Sequence, residues 1–154
     1  MSRPRLLLAD NHLTTLRCWR ALLAAEFDVV GTVEDGRALV GAYDVLKPDA
    51  IVSDIGVPEM NGVEAAAQIL ANHADARIVF ATVHADRTIL RQALASGALG
   101  YVLKVRVGED LVPAIRSALR GDLFISPFPP LDAGRARTSL RGHEPAARDW
   151  IKLE

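Results

Sequence analysis

Asp54 closes an apolar run, Ala50-Ile51-Val52, and is followed by the turn-forming residues Pro58 and Gly62. A carboxylate at the carboxyl end of a buried strand, just ahead of a turn, stands where open α/β sheets place ligand chemistry. Asp10, Thr82 and Lys104 end three other apolar runs. If those runs are parallel strands, two acids, a hydroxyl and an ammonium meet along one sheet edge. Each residue has an ordinary rival reading. Asp10 could cap a first helix, Thr82 could be a plain strand residue, and Lys104 could be a solvated surface lysine. What weighs against four coincidences is that all four fall at matching strand ends.

The elements that must position them are legible as five alternations. Short, near-continuously apolar runs at Arg5 to Ala9, Asp28 to Val33, Ala50 to Asp54, Arg77 to Thr82 and Leu99 to Leu103 suit parallel strands covered on both faces. Stretches with apolar residues three and four apart lie between them. Thr14 to Glu26 carries Leu16, Trp19, Leu22, Leu23 and Glu26, and Gly36 to Leu46 carries Leu39, Tyr43 and Leu46 before Lys47-Pro48 stops it. Val63 to Ala71 places Val63, Ala66, Ala67 and Leu70 on one stripe. Asp86 to Ser96 starts on a cap residue and stops at Gly97, and Glu109 to Arg120, with Leu111, Val112, Ile115 and Leu119, stops at Gly121. The pattern predicts a (βα)5 fold, a doubly wound five-stranded parallel sheet with right-handed crossovers.

Composition narrows the class further. A chain of 154 residues, 50% apolar and 24% charged, suits one globular domain. Its net charge of -1 makes no case for nucleic-acid or membrane binding. The single cysteine, Cys18, rules out an internal disulfide and fits a cytoplasmic location. No apolar run approaches the roughly 20 residues of a membrane span.

Four segments together resemble the receiver domain of bacterial two-component response regulators, with the CheY-like, flavodoxin-like strand order 2-1-3-4-5. They are Leu-Ala-Asp-Asn-His (8 to 12), Val-Ser-Asp-Ile-Gly-Val-Pro-Glu-Met-Asn-Gly (52 to 62), Val-Phe-Ala-Thr-Val-His-Ala-Asp (79 to 86) and Gly-Ala-Leu-Gly-Tyr-Val-Leu-Lys (97 to 104). The likeness covers residues 3 to 127 and is strongest to the NarL/FixJ, LuxR-type branch. It implies that Asp54 is the phosphoacceptor, a carboxylate nucleophile that takes a phosphoryl group from a sensor histidine kinase. It implies that Asp10, Asp54 and the backbone carbonyl of Gly56 hold Mg²⁺, a hard cation that takes oxygen ligands. Lys104 would neutralise phosphoryl charge and Thr82 would bond a phosphoryl oxygen and carry the switch. Tyr101 would report that switch by its rotamer; its ordinary rival is core filling with the hydroxyl at the surface.

Two positions depart from the family pattern. Asn11 stands where a second acid is usual, and an amide oxygen can ligate Mg²⁺ without supplying charge, so weakened Mg²⁺ binding is expected. Val105 follows Lys104 where many receivers carry a cis proline, so a trans peptide is expected. His84, two residues after Thr82, reads as a solvated loop histidine.

Receivers of this branch normally continue into a helix-turn-helix module. The 33 residues after Gly121 are too few for it, and residues 128 to 154 read as a linker or loosely ordered tail, with Trp150, Ile151 and Leu153 as its apolar positions. Nucleic-acid binding by this chain itself is therefore not expected. The expected output is a homodimer or partner contact through the last two helices, on a surface carrying Arg87, Arg91, Arg106 and Arg116, which in a longer regulator would control transcription. The alternative is a degenerate receiver that binds partners without phosphorylation, for which Asn11 is the support. A phosphatase or nucleotide-binding protein would need a second catalytic acid beside the nucleophile or a glycine-rich phosphate loop, and the sequence has neither.

Overall fold

A computed structural model describes residues 2–56 and 60–129. Leucine, isoleucine and valine dominate the strands because both sheet faces are covered, leaving no solvent side for alternation. The strands are β1 (Arg5–Ala9), β2 (Asp28–Val33), β3 (Ala50–Ser53), β4 (Ile78–Thr82), β5 (Gly100–Leu103) and β6 (Phe124–Ile125). They pair in parallel in the order β2-β1-β3-β4-β5-β6. The five expected strands and their order are present, and a sixth, two-residue strand extends the sheet beyond β5. Two residues carry no readable periodicity, so this strand was invisible to pattern.

Five helices flank the sheet: α1 (Leu13–Leu23), α2 (Gly36–Leu46), α3 (Gly62–Asn72), α4 (Arg87–Ala95) and α5 (Val107–Leu119). Strand pleating sends alternate residues to opposite layers. Leu7, Ile51, Ile78, Phe80, Tyr101 and Leu103 pack with α2, α3 and α4. Leu6, Leu8, Val52, Val79, Ala81 and Val102 pack with α1 and α5. Full burial of each Leu, Val, Ile or Phe contributes about 1.5–3 kcal/mol, so these two layers hold the strand ends rigid.

Local chemistry sets the helix bounds. Asp86 caps α4 by accepting from the Thr88 and Ile89 amides, and Asn61 and Glu64 form a reciprocal capping box on α3. Lys47, Gly97 and Gly121 take positive φ where α2, α4 and α5 end. Helix α5 starts at Val107, ahead of the expected Glu109, which places Glu109 and Asp110 in a first turn that favours acids. The α3 stripe is also shifted: Ala65, Ala66 and Ile69 are buried, while Ala67 is exposed. Leu22 of α1 likewise faces solvent. In alanine-rich or leucine-rich helices several faces are apolar, and only packing selects one.

Pro58 and the tail residues from Pro130 onward, including Trp150, Ile151 and Leu153, lie outside the described residues.

Candidate functional site

Strands β1, β3 and β4 deliver their carboxyl ends to one edge, as register dictates. Ala9 pairs with Ser53, so the residues after them, Asp10 and Asp54, stand side by side. Thr82 ends β4 and pairs with Leu103, which directly precedes Lys104. Asp10 is fully buried, Asp54 is 9% exposed and Thr82 is fully buried. Such burial of two carboxylates demands a counter-charge, and Lys104 supplies it. Its Nζ lies 2.7 Å from Asp10 Oδ2 and 3.5 Å from Asp54 Oδ2. The ammonium also sits 5.7 Å from the centre of the Trp19 ring, on α1. Lys104 is therefore no solvated surface lysine.

Asp10 is not the helix cap of its ordinary reading. His12 takes the N-cap position of α1 without a side-chain capping bond, and its amide donates to Asp10 Oδ1 at 2.7 Å. The His12 ring Nδ1 lies 3.3 Å from the same oxygen. Asn11 is exposed beside this pair. Gly56 approaches closely enough that a Cβ there would lie 3.7 Å from Asp54 Oδ2. The Asp10 and Asp54 carboxylates are hard oxygen donors of the kind Mg²⁺ accepts, and Asn11, beside Asp10 in the chain, and Gly56, two residues after Asp54, carry an amide and a carbonyl oxygen of the same kind. Among the described residues no group of three or more His, Cys, Asp or Glu side chains converges as a metal cluster.

Tyr101 lies within the sheet two residues before Leu103, and its ring is fully buried. Its hydroxyl does not reach solvent but donates to the His84 carbonyl at 2.6 Å. Burial, reinforced by the Asp86 and Asp54 charges, holds this phenol well above its ordinary pKa. The His84 amide in turn donates to Thr82 Oγ1 at 3.2 Å. His84, expected as a mere loop histidine, has a solvent-exposed side chain but a backbone that joins Thr82 to Tyr101. The Lys104–Val105 peptide is trans, since no cis bond occurs among the described residues.

A buried polar cluster next to the site was missed at the level of sequence. Asp110 accepts from Arg106 Nε at 2.6 Å and from Ser126 Oγ at 2.7 Å. Ser126 Oγ also accepts the Leu103 amide at 3.1 Å, one residue from Lys104. Burial pushes the Asp110 carboxyl up, but the bonds from Arg106 and Ser126 outweigh it and hold the group below the usual carboxylate range. The i,i+4 spacing of Arg106 and Asp110 was a readable signal; the Ser126 partner was not. Of the four arginines expected on one output surface, three make contacts within the domain. Arg106 is committed to Asp110, Arg87 lies over Phe128, and Arg116 pairs with Glu26, beyond the end of α1.

Comparison with known proteins gives this arrangement its class. The chain belongs to the response regulator receiver domain family, whose model matches residues 6–116. It is therefore a receiver domain of the two-component type, a signalling switch rather than a metabolic enzyme. The chain is 30% identical over 128 residues to the transcriptional regulatory protein DegU of Brevibacillus brevis, covering 82% of this chain and 54% of that protein. It is 31% identical over 96 residues to the chemotaxis protein CheY of Listeria monocytogenes, covering 62% of this chain and 81% of that one. Among solved structures, a LuxR-family two-component response regulator from Aurantimonas superposes with a TM-score of 0.78 at 28% identity, over 90% of this chain and 99% of that chain. The signal receiver domain of NarL from Mycobacterium tuberculosis superposes with a TM-score of 0.75 at 26% identity, over 79% and 99% of the two chains. The chain spans about half the length of the transcriptional regulators it matches. Receiver domains generally bind Mg²⁺ at the phosphorylation site and interact with histidine kinases and output domains. No helix among the described residues is long and apolar enough to cross a membrane.

Proposed function

We propose that Asp54 is the phosphoacceptor of this receiver and that Asp10, Thr82 and Lys104 serve the transfer. The observation that carries this reading is the single ammonium of Lys104 held between the Asp10 and Asp54 carboxylates, 2.7 and 3.5 Å away. Asp54 is the more accessible of the two acids and so the one placed to meet a donor. A carboxylate oxygen of Asp54 forms the new P–O bond as the P–N bond of a kinase phosphohistidine breaks, and the imidazole leaves with its electron pair. Lys104 neutralises charge on the equatorial oxygens, and it does so from a fixed position because β5 and the turn after it are packed. Thr82 Oγ1, which accepts from the His84 amide, has its hydroxyl proton left to donate to a phosphoryl oxygen.

Mg²⁺ would be held by Asp10, Asp54, the Gly56 carbonyl and the Asn11 amide, and it supplies positive charge that stabilises the transferring phosphoryl group. With Asn11 neutral, the site holds its cation with one acid fewer, and Lys104 carries a larger share of the neutralisation. The domain, residues 3–127, acts in the cytoplasm on a sensor histidine kinase, and its output is a dimer or partner contact built from α4, β5 and α5. In a longer regulator that contact would control transcription. A phosphorylation-independent binding module has no need of a buried acid pair with a bridging lysine, so that alternative is set aside.

The test is incubation with acetyl phosphate and Mg²⁺, followed by mass spectrometry. The expected result is the gain of one phosphoryl group on Asp54, lost in Asp54→Asn. Absence of the gain in both the parent and Asn11→Asp would overturn the reading.

A further inference from the structure

Trp19 lies on the buried face of α1 with Leu16 and Leu23, and it is 2% exposed. Those two helix neighbours are aliphatic, as are the strand residues Leu6, Leu8 and Val52 of the same layer. Filling the layer therefore needs no indole. What distinguishes the ring is its position, with Lys104 Nζ 5.7 Å from its centre. That is inside the range of about 6 Å over which an aromatic face attracts a cation. Solvent competes little for the contact, because the Lys104 side chain is only 19% exposed. Such desolvation puts a cation–π contact at the strong end of its scale.

Lys104 has need of an anchor of this kind. The packing of β5 fixes its backbone, but its long stem is flexible and its neighbour Val105 is 83% exposed. The two carboxylates that hold the ammonium, at 2.7 and 3.5 Å, are the groups that the reaction takes over. Asp10 is drawn into holding Mg²⁺, and Asp54 gives up its carboxylate charge when one of its oxygens becomes the bridging oxygen of an acyl phosphate. The indole is untouched by either event. It carries no charge to be neutralised, and a ring face is no ligand for a strongly hydrated, oxygen-seeking cation.

We propose that Trp19 is a positioning residue for phosphoryl transfer, its ring holding the Lys104 ammonium at the site while Asp10 and Asp54 are taken up by the cation and the phosphoryl group. This rests on the reading of Asp54 as phosphoacceptor. Trp19 acts through Lys104 rather than on the phosphoryl group itself, by keeping the ammonium where negative charge develops on the equatorial oxygens. The role has a direction that core filling lacks. In the unloaded protein both carboxylates still hold Lys104, so weakening the ring's attraction leaves the fold intact. During transfer the ring is the contact that remains, so the same weakening slows phosphorylation.

The experiment uses the full chain carrying Trp150→Phe, which leaves Trp19 as its single tryptophan. Tryptophan bearing one, two or three ring fluorines is incorporated in its place. Each fluorine withdraws negative charge from the ring face and leaves its shape almost unchanged, so packing is preserved while the attraction for a cation falls. The rate of Asp54 phosphorylation by acetyl phosphate with Mg²⁺ is followed by mass spectrometry, and denaturant unfolding in EDTA is measured alongside. The expected result is a stepwise fall in rate, roughly tenfold from the unfluorinated to the triply fluorinated ring, with the unfolding midpoint little changed. One rate across the whole series, or a fall accounted for by loss of folded protein, would overturn the role of Trp19 and leave the phosphoacceptor reading standing. An unfluorinated chain that gains no phosphoryl group on Asp54 would overturn both.

Discussion

Replacing Lys104 with methionine tests whether one ammonium really balances the acid pair. Methionine keeps the unbranched apolar stem of the side chain but leaves Asp10, fully buried, and Asp54, 9% exposed, facing each other without their counter-ion. Breaking a buried ion pair from one side typically costs about 3–5 kcal/mol. Lys104 is 19% exposed on its side chain, and Asp10 keeps the His12 amide, so the lower end of that range applies, about 3 kcal/mol. For a domain of this size that lowers Tm by roughly 6–12 °C in the absence of divalent cations. A cation that replaces the missing charge should then recover much of the loss, because ligand bound to the native state stabilises by mass action. Thermal unfolding of parent and Lys104→Met with EDTA and across a Mg²⁺ titration measures both effects. The variant should be the less stable protein in EDTA and should gain more from Mg²⁺ than the parent. Equal stability in EDTA, or equal Mg²⁺ stabilisation of the two proteins, would refute the counter-ion assignment.

Asn11→Asp adds a carboxylate beside Asp10 and should tighten Mg²⁺ binding about tenfold, roughly 1.4 kcal/mol; an unchanged titration midpoint would remove Asn11 from the metal site. Gly62→Ala would drive a Cβ against the Asp54 carbonyl oxygen, within 3.0 Å of Ile55 Cα and 3.2 Å of Phe80, so a backbone shift is unavoidable. Denaturant unfolding should register about 1–3 kcal/mol of destabilisation, with slower phosphorylation of Asp54, and a neutral substitution would mean the turn is softer than drawn. Asp110 gives a pH dependence whose sign is fixed by its depressed pKa. Its stabilisation is fully present above the unfolded-state carboxyl value of about 3.9 and is lost as pH falls through the lower folded value. Asp110→Asn should therefore be less stable than the parent near neutrality, and the gap should close below about pH 4; a constant gap through the acid range would contradict the Arg106–Asp110–Ser126 bonding.

How much was legible in the sequence differs between the strands and their surroundings. A strand buried on both faces must be apolar along its length, so β1, β3, β4 and β5 announced themselves, and Asp10, Asp54, Thr82 and Lys104 were marked by ending them. Glycine and aspartate at helix ends do a job few other residues do, which made Asp86, Gly97 and Gly121 readable. The α3 stripe was not, because alanine is apolar on every face and only the neighbouring sheet decides between Ala66 and Ala67. Nor was the fate of Arg116, since a charge pattern along one helix does not say that Glu26 faces it from elsewhere in the chain.

By itself, the sequence determined the class: five apolar runs separated by amphipathic stretches, with an acid, an acid, a hydroxyl and an amine at their ends, leave little but a parallel sheet with a chemical edge. Tertiary structure alone decided how those groups are wired. Strand register put Asp10 beside Asp54, and the packing of β5 brought Lys104 between them. The return of residues 124–129 laid Phe128 over Tyr101 and Ser126 onto Asp110. The physical reason is one of range. Burial and capping act on residues within a turn or a strand of each other and so leave a local pattern. Ion pairs and ring contacts between distant segments depend on distances that exist only once the chain has closed on itself.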